Sequence, residues 1–202
     1  MATNVLILAT RYDATTGHTF RWAQDLQREM FRHADNCLFV DVTGLCRGGP
    51  SLAELVKVAT YVVFYGHGEK DQWIALPGTS PTALIDTNTI TVLDQRKVYA
   101  GCCWSLTGLG HDFAKQCKGD YVGYDNQFGF ETENESEFKK IVNQSVVNFV
   151  TSGNAAKIVS DLQQQWTRLS NDFTHGTLTT NRNAVQAGHL ADLNSQRVGK
   201  KP

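Results

Sequence analysis

The chain has 202 residues, of which 41% are hydrophobic and 19% charged, and its formal net charge is −1. This composition is typical of a soluble globular domain, and it excludes a disordered chain and a strongly basic nucleic-acid binder. Because no apolar run approaches the roughly 20 residues of a membrane-spanning helix and the N-terminus lacks the basic region of a secretory signal, we expect a cytoplasmic location without nucleic-acid or membrane partners.

Strand-like and helix-like segments alternate along the first third of the chain. Residues 5–9 are apolar and predict the first strand, and residues 19–31 carry apolar side chains at helical spacing. Residues 37–40 predict a second strand. Ser51 and Glu54 form a capping-box pattern that begins a short helix, and residues 61–65 predict the third strand.

The alternation pauses between residues 72 and 97, where the helical period is lost. Residues 73–76 predict a short accessory strand, and the Pro-Gly and Ser-Pro pairs at 77–78 and 80–81 predict turns. Residues 98–101 then predict the fourth strand. The next apolar spacing predicts a helix that begins just after the cysteine pair at 102–103.

The last third continues the pattern and then changes in composition. Residues 121–124 predict a fifth strand, and helices are predicted over about 138–149 and 154–169. This order predicts an α/β fold with a mainly parallel sheet and helices on both faces. We expect one domain over residues 1–202, with a core at 4–172 and a C-terminal extension at 173–202 that is rich in Thr, Asn and Gly and frayed at its end.

Two of the predicted strands end on residues that can carry out chemistry. The third strand runs into Gly66-His67-Gly68, and the fourth runs into Gly101-Cys102-Cys103. The carboxyl ends of parallel strands are where α/β proteins bind ligands. The two strand ends therefore predict a histidine and a cysteine at one sheet edge, which are the parts of a thiol nucleophile with its general base.

The flanking residues favour Cys103 as a reactive thiol. A helix directly after it is expected to lower its pKa, and Gly68 leaves its own N–H unobstructed as a donor to an oxyanion. The alternative interpretation is structural, because a buried free cysteine commonly serves core packing. The odd, scattered set of five cysteines predicts neither a disulfide framework nor a zinc site; they are Cys37, Cys46, Cys102, Cys103 and Cys117.

The segments Phe-Tyr-Gly-His-Gly at 64–68 and Ala-Gly-Cys-Cys-Trp-Ser at 100–105 resemble the paired signature of the caspase-like cysteine peptidases. That group includes caspases, metacaspases, gingipains, clostripain-type enzymes, separase and bacterial CHAT domains. The resemblance covers most of the chain and implies the caspase-like fold and a thiol protease without metal or cofactor. It also implies His67 and Cys103 as the catalytic pair, with Cys102 in the preceding small position, and the amides of Gly68 and Cys103 as the oxyanion hole.

The substrate pocket is less clearly marked. Gly101 stands where caspases carry Gln and metacaspases carry Asp, so the usual specificity side chain is missing. Asp13 and Asp125 follow the first and fifth strands and would favour a basic residue at P1, whereas Arg11 would favour an acidic one. Trp73 is a candidate wall of the substrate groove. On this basis we expect a basic P1 residue.

The sequence thus predicts a cytoplasmic cysteine endopeptidase that acts on proteins or peptides through a Cys/His dyad and a thioester acyl-enzyme. Control by an activating or regulatory protein, or by cleavage of a loop at 72–97 or 126–135, is also expected. Two alternatives stay open: a non-catalytic caspase-like scaffold that binds a partner, and a cysteine-dependent hydrolase of a non-peptide substrate. A flavodoxin-like domain is disfavoured, because residues 10–18 contain one glycine and no GxGxxG pattern.

Overall fold

The computed structural model describes residues 2–45, 51–76 and 82–201. Cys46 and the turns predicted at 77–78 and 80–81 lie outside these residues. Within them, no helix is both long and apolar enough to cross a membrane.

The chain alternates between strands and helices as the sequence predicts, with short 3-10 helices at Ile90–Leu93 and Thr132–Asn134. The strands of the described residues are β1 (Asn4–Ala9), β2 (Asn36–Asp41), β3 (Tyr61–Tyr65), β4 (Gly68–Glu69), β5 (Gln72–Leu76), β6 (Thr82–Asp86), β7 (Arg96–Gly101), β8 (Gly119–Tyr124) and β9 (Val198–Lys201). The α-helices are α1 (Ala14–Met30), α2 (Val42–Leu45), α3 (Leu52–Val58), α4 (Leu109–Gln116), α5 (Glu135–Ser152), α6 (Ala155–Thr174) and α7 (Ala184–Arg197).

Six strands form the central sheet, in the order β2-β1-β3-β7-β8-β9. The first five run parallel to one another, and β9 pairs antiparallel with β8. Strands β4, β5 and β6 form a separate antiparallel sheet. The prediction of an α/β fold with a mainly parallel sheet is confirmed.

Both faces of the central sheet are covered, because successive side chains of each strand enter different apolar clusters. In β1, Val5 and Ile7 pack in a cluster with α1, α5, α6 and α7. Leu6 and Leu8 pack in a second cluster with α3, α4 and the small sheet. A strand covered on both sides needs apolar residues at consecutive positions, which explains the unbroken apolar runs in the sequence.

Helix α1 begins at Ala14, five residues before the predicted start. Asp13 is its N-cap: the Asp13 carboxylate accepts a hydrogen bond of 2.7 Å from the Thr16 N–H, and the Thr16 side chain bonds back to the Asp13 backbone. This reciprocal cap stabilises a first turn that lacks large apolar side chains. The same device at Ser51 and Glu54 begins α3, as predicted.

The helix predicted directly after Cys103 begins later than expected. Residues 102–108 form a series of turns, and α4 starts at Leu109. The Lys70 carbonyl accepts hydrogen bonds of 2.8 Å from the Gly108 and Leu109 amides. A Cβ added at Gly108 would lie 2.3 Å from that oxygen, so glycine is what permits this approach.

The expectation that the last few residues are frayed is wrong, because residues up to Lys201 form strand β9. Helix α7 lies against α6, with Ala187, Gly188 and Ala191 buried in the interface, and β9 completes the sheet beside β8. Small residues let two helices approach closely, but they leave no pattern of large apolar side chains in the sequence. The extension therefore belongs to the core.

We predict that Ala187→Asp lowers the free energy of unfolding by about 3–5 kcal/mol, because it buries a carboxylate without a partner. The measurement is urea denaturation. Val185→Asp, on the same helix but at a position 81% exposed, is the control and should stay within about 0.5 kcal/mol of the parent. Equal stability of the two variants would contradict the packing of α7.

Candidate active site

The register of the central sheet brings the two predicted catalytic residues side by side. Tyr65 of β3 pairs with Gly101 of β7, and the two strands run parallel. His67 and Cys103 each follow these paired residues by two positions. Because neighbouring strands lie about 4.8 Å apart, the chain delivers His67 and Cys103 to adjacent places at the carboxyl edge of the sheet.

The turns that follow the two strands are in direct contact. A Cβ added at Gly68 would lie 2.5 Å from the Cys103 carbonyl oxygen and 2.8 Å from the Cys102 Sγ, so any larger residue would push the turns apart. The Ile74 N–H donates to the His67 carbonyl. In an antiparallel pair, hydrogen-bonded and non-hydrogen-bonded positions alternate. Since His67 is a bonded position, the next residue, Gly68, is not, and its N–H points away from β5.

His67 and Cys103 open onto the same cavity, which has a volume of about 280 Å³. Gly66 and Gly101 contribute to its floor at the ends of β3 and β7. The other walls are the first turn of α1, residues 127–130 after β8, and one face of α7. The cavity therefore lies where the sequence analysis places the chemistry, above the carboxyl ends of the parallel strands.

Asp13 holds the imidazole of His67. Its Oδ2 lies 2.7 Å from His67 Nε2, while its Oδ1 accepts the helix-capping bond from Thr16. Burial acts to raise the pKa of Asp13, but the hydrogen bonds from Thr16 and His67 outweigh it and lower that pKa. An ionised Asp13 fixes the ring through Nε2 and leaves Nδ1 for proton exchange.

The ring of Tyr12 packs beside His67, with the two ring centroids 5.7 Å apart. Burial and the neighbouring Asp13 raise the pKa of the Tyr12 phenol, so the hydroxyl stays protonated. No partner for this hydroxyl is found among the described side chains and backbone groups. Tyr12 thus supplies a packing surface that limits movement of the imidazole.

Cys103 rests as a neutral thiol. Its Sγ donates to the Phe128 carbonyl at 3.6 Å. Burial raises the pKa of Cys103, and the positive charge of Arg197 offsets only part of this effect. The expected lowering by a helix N-terminus is absent, because α4 begins at Leu109 and its first amides bond to Lys70. A nucleophilic role for this thiol would therefore need a base to remove its proton.

The backbone after Cys103 is strained and held in place. Trp104 has a φ of 50°, in the left-handed region that non-glycine residues seldom adopt. Its N–H donates to the Asn126 carbonyl at 2.8 Å, and the buried Ser105 hydroxyl bonds to the carbonyl of Cys102 and to the Tyr124 N–H. Such strain persists only where the surroundings enforce it, and it is common at functional sites.

Cys102 is a packing residue. It is 1% exposed, and burial raises the pKa of its thiol well above the ordinary range. It belongs to the apolar cluster on the side of the sheet that carries α3 and α4. This difference in burial supports the choice of Cys103 over Cys102 as the reactive thiol.

Trp73 does not form the wall of a substrate groove. It is fully buried, its ring stacks on Phe64 with the ring centroids 4.7 Å apart, and its indole N–H donates to the Tyr121 hydroxyl. Trp73 instead anchors the small antiparallel sheet to the central sheet. The expectation of a surface role is corrected by this burial.

The charged residues assigned to the pocket lie elsewhere. Arg11 pairs with Asp41 at 2.8 Å and covers the ring of Phe20. Asp125 is exposed, and Asp13 is engaged by His67 and the helix cap. None of these three side chains lines the cavity. The electrostatic basis for a basic P1 residue is therefore absent from the described structure.

Residues of α7 complete the site, and the sequence analysis missed them. Asn194 is fully buried, donates to the Gly129 carbonyl at 2.7 Å and accepts from the Gly129 N–H at 3.1 Å. Arg197 donates to the Gln127 carbonyl at 2.7 Å. We call residues 126–130 the strap. These bonds fix the strap beside Cys103. In the sequence, the only indication of such a role is that an Asn side chain can both donate and accept a hydrogen bond.

A scan against protein-family models finds no match to the chain, and a search of curated protein sequences finds no similar protein. The resemblance to caspase-like peptidases therefore stays a prediction from the two motifs. Within the described ranges, no group of three or more His, Cys, Asp or Glu side chains is placed to hold a metal ion.

We predict that iodoacetamide modifies Cys103 at least tenfold faster than Cys102, because Cys103 is partly exposed whereas Cys102 is only 1% exposed. Since burial raises the pKa of Cys103, its rate should keep rising with pH beyond the ordinary thiol pKa of about 8.5. Peptide mass spectrometry after timed quenching measures both rates. Faster labelling of Cys102 would overturn the assignment.

We predict that Asp13→Asn slows hydrolysis, by about tenfold or more, with little loss of stability. Asn is as good an N-cap as Asp, so the change removes the charge beside His67 while the cap is retained. Asp13→Ala is the matched comparison and should also cost about 1 kcal/mol of stability. Unchanged kcat/KM in Asp13→Asn would show that the carboxylate does not position the imidazole.

Proposed function

We propose that the chain is a cysteine hydrolase of the caspase-like group that cleaves peptide bonds with Cys103 and His67. One observation carries the proposal. The parallel register of β3 and β7 brings a histidine and a half-buried cysteine to neighbouring strand ends that open onto one cavity. Adjacent strand ends of a parallel sheet are where a thiol nucleophile and its base are expected to meet.

The first step forms a thioester. His67 takes the proton of the Cys103 thiol as the sulfur attacks the carbonyl carbon of the substrate, and the carbonyl oxygen becomes an oxyanion. The amides of Gly68 and Cys103 are the proposed donors to that oxygen. The C–N bond then breaks, and His67 returns the proton to the leaving amine.

The second step restores the enzyme. Water attacks the thioester and His67 accepts one proton of that water. As the C–S bond breaks, His67 gives this proton to the Cys103 sulfur, which releases a carboxylic acid and restores the thiol. Asp13 keeps the imidazole oriented and stabilises its protonated form in both steps, through the bond to Nε2. Apart from the substrate, water is the only reactant that the two steps consume.

The alternatives fit the described structure less well. A non-catalytic scaffold does not need a histidine held by a carboxylate beside a thiol in a cavity. The order β2-β1-β3-β7-β8 is also that of flavodoxin-like folds, but Asp13 caps the helix that a phosphate would approach, and its charge would repel that phosphate. A non-peptide ester or thioester substrate would use the same residues, so it is the second candidate.

Hydrolysis of a fluorogenic peptide library tests the proposal. We expect turnover that falls by about 10³-fold or more in both Cys103→Ala and His67→Ala, since the residues act as one unit. Cys117→Ala, a thiol change at the C-cap of α4 and outside the cavity lining, is the control and should retain activity. Turnover of esters alone would favour the non-peptide candidate, and turnover that survives Cys103→Ala would refute the proposal.

A further inference from the structure

The walls of the cavity are mainly apolar. Phe128 and Phe130 of the strap face Leu190 and Leu193 of α7 across it. The two leucines lie three residues apart, on one face of the helix. A volume of about 280 Å³ lies at the lower end of the range for small-molecule sites, which begins at roughly 300 Å³, and it is large enough for one apolar side chain of a substrate.

The aromatic walls are fixed before any substrate arrives. The ring of Phe130 packs on Trp22 with centroids 4.7 Å apart, and the ring of Phe128 packs on Tyr124 at 4.8 Å. The two bonds from Asn194 to Gly129 hold the backbone between these rings. A preformed pocket loses little conformational freedom on binding and can therefore select by shape and polarity.

The charges at the cavity disfavour a basic side chain. No Asp or Glu is among the described residues that line it, and the fixed positive charge is Arg197. A Lys or Arg side chain bound in the cavity would lose its hydration, would find no carboxylate to pair with, and would be repelled by the positive charge of Arg197. Arg197 itself already donates to the Gln127 carbonyl, and it lies one turn beyond Leu193, at the end of α7.

From these observations we infer that the cavity is a specificity pocket for an uncharged apolar side chain, such as Leu or Phe, at the substrate residue whose carbonyl Cys103 attacks. The inference rests on the proposed function and replaces the basic P1 residue expected from sequence. Gly101 is part of the cavity lining and contributes no side chain to it. Leu193 is the residue through which α7 sets this preference.

The probes are N-acetyl dipeptidyl chloromethyl ketones that differ only at P1, which is Leu, Phe, Ala, Asp or Arg. The Cys103 sulfur displaces chloride from the reagent, a C–S bond replaces the C–Cl bond, and the thiol proton passes to His67 and then to solvent. Mass spectrometry gives the rate of Cys103 alkylation. Each rate is divided by the iodoacetamide rate of the same protein, which removes differences in thiol reactivity.

We expect the Leu and Phe reagents to react at least tenfold faster than the Arg and Asp reagents. Leu193→Ala should cut the Leu and Phe rates about tenfold and leave the Ala rate unchanged, whereas Val185→Ala, on the exposed side of α7, should change none. If Leu193→Ala does not fold, Leu190→Ala takes its place with the same expectation.

Three outcomes would overturn the inference. If the Arg reagent reacts fastest, a carboxylate must line the pocket. If the Asp reagent reacts fastest, Arg197 determines the specificity. If all reagents react at the same rate, the cavity does not bind the P1 side chain. Each of these leaves the proposed function standing. A different result would refute the proposed function, namely peptide hydrolysis that does not depend on Cys103.

Discussion

The pairing of Tyr65 with Gly101 in parallel β3 and β7 is the constraint on which the site depends. Parallel pairing with both faces buried admits one register, because a slip by one residue would turn every side chain to the opposite face. Such a slip in β7 would present Cys102 in place of Cys103. The apolar side chains that alternate between the two clusters therefore also determine which cysteine becomes the proposed nucleophile.

Strand order then arranges the remaining parts. Strands β1, β3, β7 and β8 lie side by side in that sequence, and each is followed by one component of the site. Asp13 follows β1, His67 follows β3, Cys103 follows β7 and the strap follows β8. The carboxylate, the imidazole, the thiol and the pocket wall are therefore neighbours in space, although they are spread over residues 13–130 of the chain.

Burial sets the chemical state of the thiol. Burial raises the pKa of Cys103, and the N-terminus of α4 does not counteract this effect, because α4 begins beyond the turn and its first amides bond to the Lys70 carbonyl. A stable thiolate–imidazolium pair is not what this environment favours. In the proposed chemistry, His67 removes the thiol proton while the sulfur attacks the substrate. The rate then depends on the position of the imidazole, and therefore on Asp13, which holds it.

Much of this arrangement was predictable from the sequence, and the misses have physical causes. Unbroken apolar runs predict buried parallel strands, and parallel strands predict that His67 and Cys103 meet at one edge. Helix α7 escaped prediction because its contacts use Ala187 and Ala191, whose small side chains carry little hydrophobic signal. The prediction for Trp73 is wrong because its position six residues after His67 does not reveal that its ring is buried against Phe64.

Acylation of Cys103 by a p-nitrophenyl ester reports on the thiol and the imidazole together. We expect a burst of one nitrophenolate per chain, an acyl group on Cys103 by peptide mass spectrometry, and a burst rate that falls about 10²-fold or more in His67→Ala. A burst of unchanged rate in His67→Ala, or an acyl group on another residue, would contradict the claim that these two side chains act as a pair.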